Sequence, residues 1–273
     1  MVIYIMFTCI EFLPEKEGFF TRVYEKIKSP QPEREYVQVR GATAFLRLAV
    51  RENNVDWCKI SSCLRGNERI VLLGEEKTIP DGIPLERYKP SGLGMVLIFK
   101  TLCRVLENVN EPQKLSLSIF DEKAVLSSVI DKIVPLVRNA CVYTEKVNSY
   151  FQASARIMKD SGMNIRIGEY ETDKKIRGIV ISDRYLTSLK EADFVFLAVN
   201  DTLSYNTVTG EGIFLEDEYK ILKSPEIDDF AFASALYERN NGMVFKQKDF
   251  SSIYFAGKAI NENDLSDLIK QKI

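Results

Sequence analysis

The sequence of 273 residues contains no histidine. Histidine is the side chain that most often acts as a general base near neutral pH, and it completes the Ser-His-Asp and Cys-His catalytic sites. Its absence excludes those sites, together with histidine-ligated zinc and haem held by a proximal histidine. Any catalytic chemistry in this chain has to use carboxylates, lysine, tyrosine, cysteine or the backbone.

The sequence also lacks a large excess of charge of either sign. Its 37 basic and 39 acidic side chains give a formal net charge of −2. A surface that binds nucleic acid requires a marked basic excess. We therefore expect no nucleic acid among the partners, which leaves a small molecule or another protein. The oligomeric state does not follow from the composition.

Cysteine is scarce and lacks the spacing of a metal site. The five cysteines include no C-x-x-C pair, whereas zinc ribbons and thioredoxin-type sites need such close pairs. The apolar run at the N-terminus ends at Glu11, which is too early for a membrane helix. A signal peptide would require basic residues before that run, and none precedes it. These features predict reduced thiols and a cytoplasmic protein that does not contact the membrane.

The first part of the chain, residues 1–110, has the pattern of an α+β domain. A β-branched and aromatic run predicts a strand over residues 2–12. Helices are expected over residues 17–28, over residues 43–51 and after Asp56.

From residue 111 onward, strands and helices alternate regularly. Strands are predicted over residues 115–120, 140–144, 164–168, 178–182 and 193–199, with helices over 122–134, 147–160 and 185–191 between them. This order is typical of a parallel sheet with right-handed crossovers. We therefore expect an α/β protein in which residues 111–273 form a Rossmann-like, mostly parallel sheet flanked by helices. A polar loop is predicted over residues 200–218, and a helix that opens at Ser224-Pro225 is predicted to follow it.

Three segments of this second part carry a family resemblance: Leu115-Ser-Leu-Ser-Ile-Phe120, Ala140-Cys-Val-Tyr-Thr-Glu145 and Asn164-Ile-Arg-Ile-Gly168. With their helices they resemble a Rossmann-type domain, and the chain resembles uncharacterised bacterial proteins with a degenerate Rossmann-like half. The resemblance implies a G-x-G-x-x-G turn after the first strand. This chain has Phe120-Asp-Glu-Lys-Ala-Val125 there, without glycine. Glu145 falls where the resemblance expects the acid that binds the ribose.

Candidate site residues follow from the position at which parallel sheets bind ligands, the carboxyl ends of their strands. The polar residues predicted there are Asp121, Thr144, Glu145, Ser182, Asp183, Asn200 and Asp201. Three of them, Asp121, Asp183 and Asp201, could share a magnesium ion, which accepts carboxylates and waters as ligands. The same residue types are common helix caps and turn formers, and that interpretation is favoured.

Three functions remain open, and the sequence does not decide whether the chain is an enzyme or which cofactor it binds. A non-catalytic or accessory protein on a Rossmann-like scaffold is favoured, because both histidine and the phosphate-binding glycines are missing. One alternative is a small-molecule binder or a magnesium-dependent phosphate-ester enzyme that uses the strand-end carboxylates. The other is a divergent NAD(P)-dependent oxidoreductase.

Overall fold

A computed structural model describes residues 5–14, 31–39, 43–52, 55–90, 92–170, 175–198, 204–239 and 249–272. The chain forms two compact units. Unit 1 comprises Met1–Pro90 and Leu215–Lys246, and unit 2 comprises Ser91–Phe214 and Gln247–Ile273. This division differs from a single boundary at residue 110, because the chain leaves each unit and later returns to it. The helix predicted over residues 17–28 lies outside the described residues.

The α-helices of the described chain are α1 (Trp57–Cys63), α2 (Gly92–Glu107), α3 (Val147–Ser161), α4 (Asp217–Lys220), α5 (Asp229–Arg239) and α6 (Glu262–Lys270). Asp56 caps α1 and Asn261 caps α6, each by accepting a hydrogen bond from a backbone N–H of the first turn. The helix predicted from Ser224-Pro225 begins later, as α5. None of the helices in the described ranges is long and apolar enough to cross a membrane.

Unit 1 is built on a five-stranded sheet. Its strands are β1 (Ile5–Leu13), β2 (Glu33–Val39), β3 (Thr43–Arg51), β4 (Ile70–Leu72) and β5 (Glu86–Arg87). They lie in the order β2-β3-β1-β4-β5. β1 runs parallel to both of its neighbours, whereas β2 and β3 are antiparallel.

The prediction of a helix over residues 43–51 is wrong, since this segment is the strand β3. It pairs with β1 on one side and with β2 on the other. Leu46, Leu48 and Val50 lie in one apolar cluster, and Phe45 is buried outside that cluster. Side chains that alternate between the two faces of a sheet are typical of a strand.

Unit 2 is built on an eight-stranded sheet. Its strands are β6 (Ser116–Phe120), β7 (Asn139–Tyr143), β8 (Ile165–Gly168), β9 (Ile179–Ser182), β10 (Phe194–Leu197), β11 (Thr207–Ile213), β12 (Phe250–Phe255) and β13 (Lys258–Ala259). Their order is β13-β12-β11-β10-β9-β6-β7-β8, and every pair between β8 and β11 is parallel. Counted from β6, these parallel strands follow the order 3-2-1-4-5-6 of the dinucleotide-binding Rossmann fold. The predicted α/β, Rossmann-like, mostly parallel architecture is confirmed.

The strand β11 occupies residues 207–213 in the middle of the polar loop predicted over residues 200–218, so that prediction is wrong for this segment. Within β11, Thr207, Val208 and Thr209 are buried, although the two threonines carry polar hydroxyl groups. Gly210 provides room for the Phe250 ring of the neighbouring β12, because a Cβ at this position would lie 2.1 Å from the ring. Turn-forming residues such as glycine therefore conceal a buried strand in the sequence.

The segment between β6 and β7 is not the predicted helix over residues 122–134. It consists of three short 3₁₀ turns, Val125–Ser128, Ile130–Lys132 and Val134–Leu136. Ala124 has a left-handed φ of 59°, which a right-handed α-helix over this range does not accommodate. The segment predicted as a helix over 185–191 is likewise a 3₁₀ turn, at Thr187–Leu189.

Helix α3 matches its predicted range and ends at Gly162, whose φ of 71° is left-handed. Of its side chains, Tyr150, Ala153 and Ile157 are buried, whereas Phe151 is 60% exposed.

The turn between β12 and β13 provides a stability test. Ala256 and Gly257 form this two-residue turn with φ values of 49° and 77°. A residue with a Cβ is strained in the left-handed region, and glycine is not. We expect Ala256→Gly to raise the free energy of unfolding by about 0.5–1 kcal/mol in urea titrations. The matched control Ala259→Gly, in β13, should lower it, and a loss of similar size in both variants would contradict the assignment.

Candidate functional site

The candidate site lies where the strand order of the unit 2 sheet reverses. β6 and β9 are neighbours, and the chain continues from β6 to one side of the sheet and from β9 to the other. A crevice at the carboxyl ends of such strands is where open α/β sheets bind ligands. Phe120 pairs with Ser182 at the strand ends. The next residues along the two strands, Asp121 and Asp183, are therefore neighbours, as the sequence predicts.

Asp121 is buried and forms three hydrogen bonds. Its Oδ1 accepts the N–H of Val125 at 2.9 Å. Its Oδ2 accepts the N–H of Leu126 and the hydroxyl of Tyr150, each at 2.7 Å. Both carboxylate oxygens are thus used to fix the first 3₁₀ turn after β6 and to join it to α3.

Asp183, at the end of the neighbouring strand, binds the residues that lead into this 3₁₀ turn. Its Oδ2 accepts the N–H of Glu122 at 3.0 Å. Its Oδ1 accepts the hydroxyl of Tyr170, in the loop after β8. The guanidinium of Arg184 lies 4.9 Å from the centroid of the Tyr170 ring. Tyr170 therefore contacts both the half-buried carboxylate of Asp183 and the exposed guanidinium of Arg184.

Thr144, at the end of β7, completes the support of the turn. Its hydroxyl donates to the Glu122 carbonyl at 3.4 Å and accepts the N–H of Lys146 at 3.0 Å. Within the turn, Ala124 has a left-handed φ of 59°. Three strand ends thus hold residues 122–126 in one conformation.

The other candidate residues do not join this arrangement. Glu145 is exposed and has no hydrogen bond or ion pair within the described ranges. Asn200 and Asp201 lie outside the described residues. Ser182 is buried and donates to the Arg184 carbonyl at 2.5 Å. Of the three carboxylates that could share magnesium, the described chain brings two together, and it contains no group of three or more potential metal ligands.

Burial dominates the electrostatics of the two aspartates. It raises the pKa of Asp121, and the hydrogen bonds from Leu126, Tyr150 and Val125 oppose that rise. Burial also raises the pKa of Asp183, against the hydrogen bonds from Tyr170 and Glu122. The charge of Asp183 raises the pKa of Asp121 further. Burial and the neighbouring carboxylates raise the pKa of both tyrosines as well.

The space beside the aspartates is small. The cavity measures about 110 Å³ and is lined by Met95, Asp121, Glu122, Lys123, Val125, Asp183 and Arg184. Pockets for small organic ligands usually measure about 300–1,000 Å³. The pyrophosphate of a dinucleotide needs free backbone N–H groups and a close approach of the chain. The residues present do not fit that group, because Asp121 already accepts the N–H groups and two carboxylates face the cavity.

Sequence reasoning missed the roles of the two tyrosines. Tyr150 is buried, and its hydroxyl donates a hydrogen bond to Asp121. Tyr170 had no predicted role. The available signal was indirect, since a carboxylate predicted at a buried strand end requires hydrogen-bond donors.

Asparagine substitutions distinguish the hydrogen-bond environments of Asp121 and Asp183. In Asp121→Asn, the amide NH₂ must face a backbone N–H, because both oxygens of Asp121 accept one. We expect this variant to lose about 1–3 kcal/mol of unfolding free energy, the cost of a buried donor without a partner. In Asp183→Asn, the amide oxygen can accept from Glu122 while its NH₂ donates to Tyr170. The loss at neutral pH should therefore be smaller in urea titrations, and equal losses would contradict this geometry.

No protein-family model matches this chain, and no curated protein sequence matches it. Among solved structures, the L-tryptophan dehydrogenase from Nostoc punctiforme is similar at 11% sequence identity. The similarity covers 98% of this chain and 81% of that chain, with a TM-score of 0.30. Similarity at this level carries no information about the site.

Proposed function

We propose that this chain is a non-catalytic or accessory protein built on a Rossmann-like scaffold without a dinucleotide site. One observation carries the proposal. The carboxylate of Asp121 accepts the N–H groups of Val125 and Leu126. These N–H groups belong to the segment that follows β6, the first strand of the unit 2 sheet. A dinucleotide-binding protein would present N–H groups to the pyrophosphate at this position.

Other features of the same turn support the proposal. The turn has no glycine between Phe120 and Val125. The segment after it consists of 3₁₀ turns, so the dipole of a long helix does not assist anion binding. A phosphate there would also face Asp121 and Asp183 in a cavity of about 110 Å³.

The two alternatives have less support. A phosphate-ester enzyme would need the carboxylates to be available to a metal, but each oxygen of Asp121 and Asp183 already accepts a hydrogen bond. An NAD(P)-dependent oxidoreductase shares the strand order, but a fold does not imply a function. The geometry therefore favours the non-catalytic function.

The proposal includes a cytoplasmic location and a protein or small-molecule partner, rather than nucleic acid or a membrane. The five cysteines are free thiols, which supports a reducing compartment. The net charge of −2 gives no general attraction to polyanions.

Calorimetric titration and thermal unfolding with NAD, NADP and ATP test this proposal. We expect no saturable heat and no stabilisation with any of the three. A nucleotide bound at a hundredfold excess over its Kd would stabilise the protein by about 2.7 kcal/mol. Such a stabilisation of the wild-type protein would contradict the proposal.

Magnesium titration tests the phosphate-ester alternative. Magnesium should not shift the unfolding temperature of the wild-type protein more than that of Asp121→Asn. The variant Asp81→Asn, which removes an exposed carboxylate of unit 1, is the matched control for the change in net charge. A magnesium shift that is lost in Asp121→Asn and kept in Asp81→Asn would favour the enzyme instead.

A further inference from the structure

Asp121 and Asp183 are two neighbouring carboxyl groups at the ends of paired strands. Neither forms a salt bridge within the described ranges, and the charge of Arg184 lowers the pKa of Asp183 by less than burial raises it. Like charges held together in a partly desolvated site favour the uptake of one proton by the pair.

We propose that the two groups carry one negative charge between them, with the shared proton on Asp183, whose carboxyl O–H donates to the hydroxyl oxygen of Tyr170. This inference rests on the proposed function, because it concerns the regulation of the same closed crevice. It makes the hydrogen bonds that fix residues 122–126 sensitive to pH.

The hydrogen-bond donors decide which group takes the proton. Each oxygen of Asp121 accepts a backbone N–H, and a backbone N–H cannot reverse its direction. Only one oxygen of Asp183 accepts a backbone N–H, from Glu122. Its other oxygen faces the hydroxyl of Tyr170, which can rotate from donor to acceptor. A proton on Asp183 therefore keeps the contact with Tyr170 with its direction reversed, whereas a proton on Asp121 opposes a backbone N–H that cannot reverse.

The surrounding groups are consistent with this assignment. The titratable and charged side chains that face the pair in the described chain are Glu122, Lys123, Tyr150, Tyr170 and Arg184. The charge of Glu122 raises the pKa of Asp183, while Arg184 lowers it by less than burial raises it. Helix α2 contributes the uncharged Met95 to the cavity.

Rising pH should weaken the turn. When Asp183 loses its proton, a second negative charge appears beside Asp121, and Tyr170 turns to donate. A carboxyl group with a raised pKa in the folded state contributes stability that is present at low pH and lost as the pH rises through that pKa. Falling pH should therefore stabilise the conformation of residues 122–126.

Urea unfolding across the acidic to neutral range tests the proposal with wild type, Asp183→Asn and the charge control Asp81→Asn. We expect the stability of Asp183→Asn relative to wild type to increase as the pH rises, because the variant cannot lose the proton. Asp81→Asn corrects for the change in net charge. A difference that is independent of pH after this correction, or that decreases with rising pH, would overturn the proposal.

A second measurement uses wild-type protein labelled with ¹³C at the aspartate carboxyl carbons, so it does not depend on the folding of any single variant. The Asp183 carboxyl signal should titrate with a midpoint above the ordinary aspartate pKa of about 3.9 and above the midpoint of Asp121. The signal is assigned by its loss in Asp183→Asn and by its contact with Tyr170. A higher midpoint for Asp121 than for Asp183, or an Asp183 midpoint at the ordinary value, would refute the proton location. Nucleotide binding would contradict the proposed function but would leave this titration unchanged, so the two failures are distinguishable.

Discussion

The carboxylate of Asp121 is the group on which the candidate site depends. It lies at the end of the central strand of the parallel sheet and accepts hydrogen bonds from two backbone N–H groups of the segment that follows. A buried donor without an acceptor is costly, so a Rossmann-like turn of this shape requires either an internal acceptor or a bound anion. This chain provides the internal acceptor, and Tyr150 fixes its position from α3. In the proposed function, the interaction that stabilises the turn also occupies the N–H groups that a bound anion would need.

Under the proposed function, this arrangement separates the Rossmann-like fold from dinucleotide binding. The strand order of unit 2 is that of the dinucleotide-binding fold, which depends on apolar strands and right-handed crossovers. Binding of a dinucleotide depends instead on a few groups at one strand end. Because β6 pairs with β7 and β9 along their length, the sheet does not depend on which partners the polar groups at its edge bind.

The sequence predicts the parallel strands of unit 2 well, because segments such as Phe194–Leu197 are short apolar runs bounded by polar residues. It misses β11, where Gly210 and Gly212 indicate a loop although the strand is paired on both sides. It mistakes β3 for a helix, because the pairing with β1 and β2 that determines its conformation is not local. Asp121 and Asp183 are predicted at the strand ends, but their donors come from Tyr150 and Tyr170, whose approach depends on tertiary structure.

Hydrogen exchange of the Val125 and Leu126 amides tests the central claim most directly. If Asp121 holds these N–H groups, both amides exchange slowly in the wild-type protein, and saturating NAD does not slow them further. In Asp121→Ala they exchange faster, while amides in β10 keep their protection. Fast exchange of both amides in the wild-type protein, or protection that appears only when NAD is added, would show that the crevice is open to a ligand and would contradict this account.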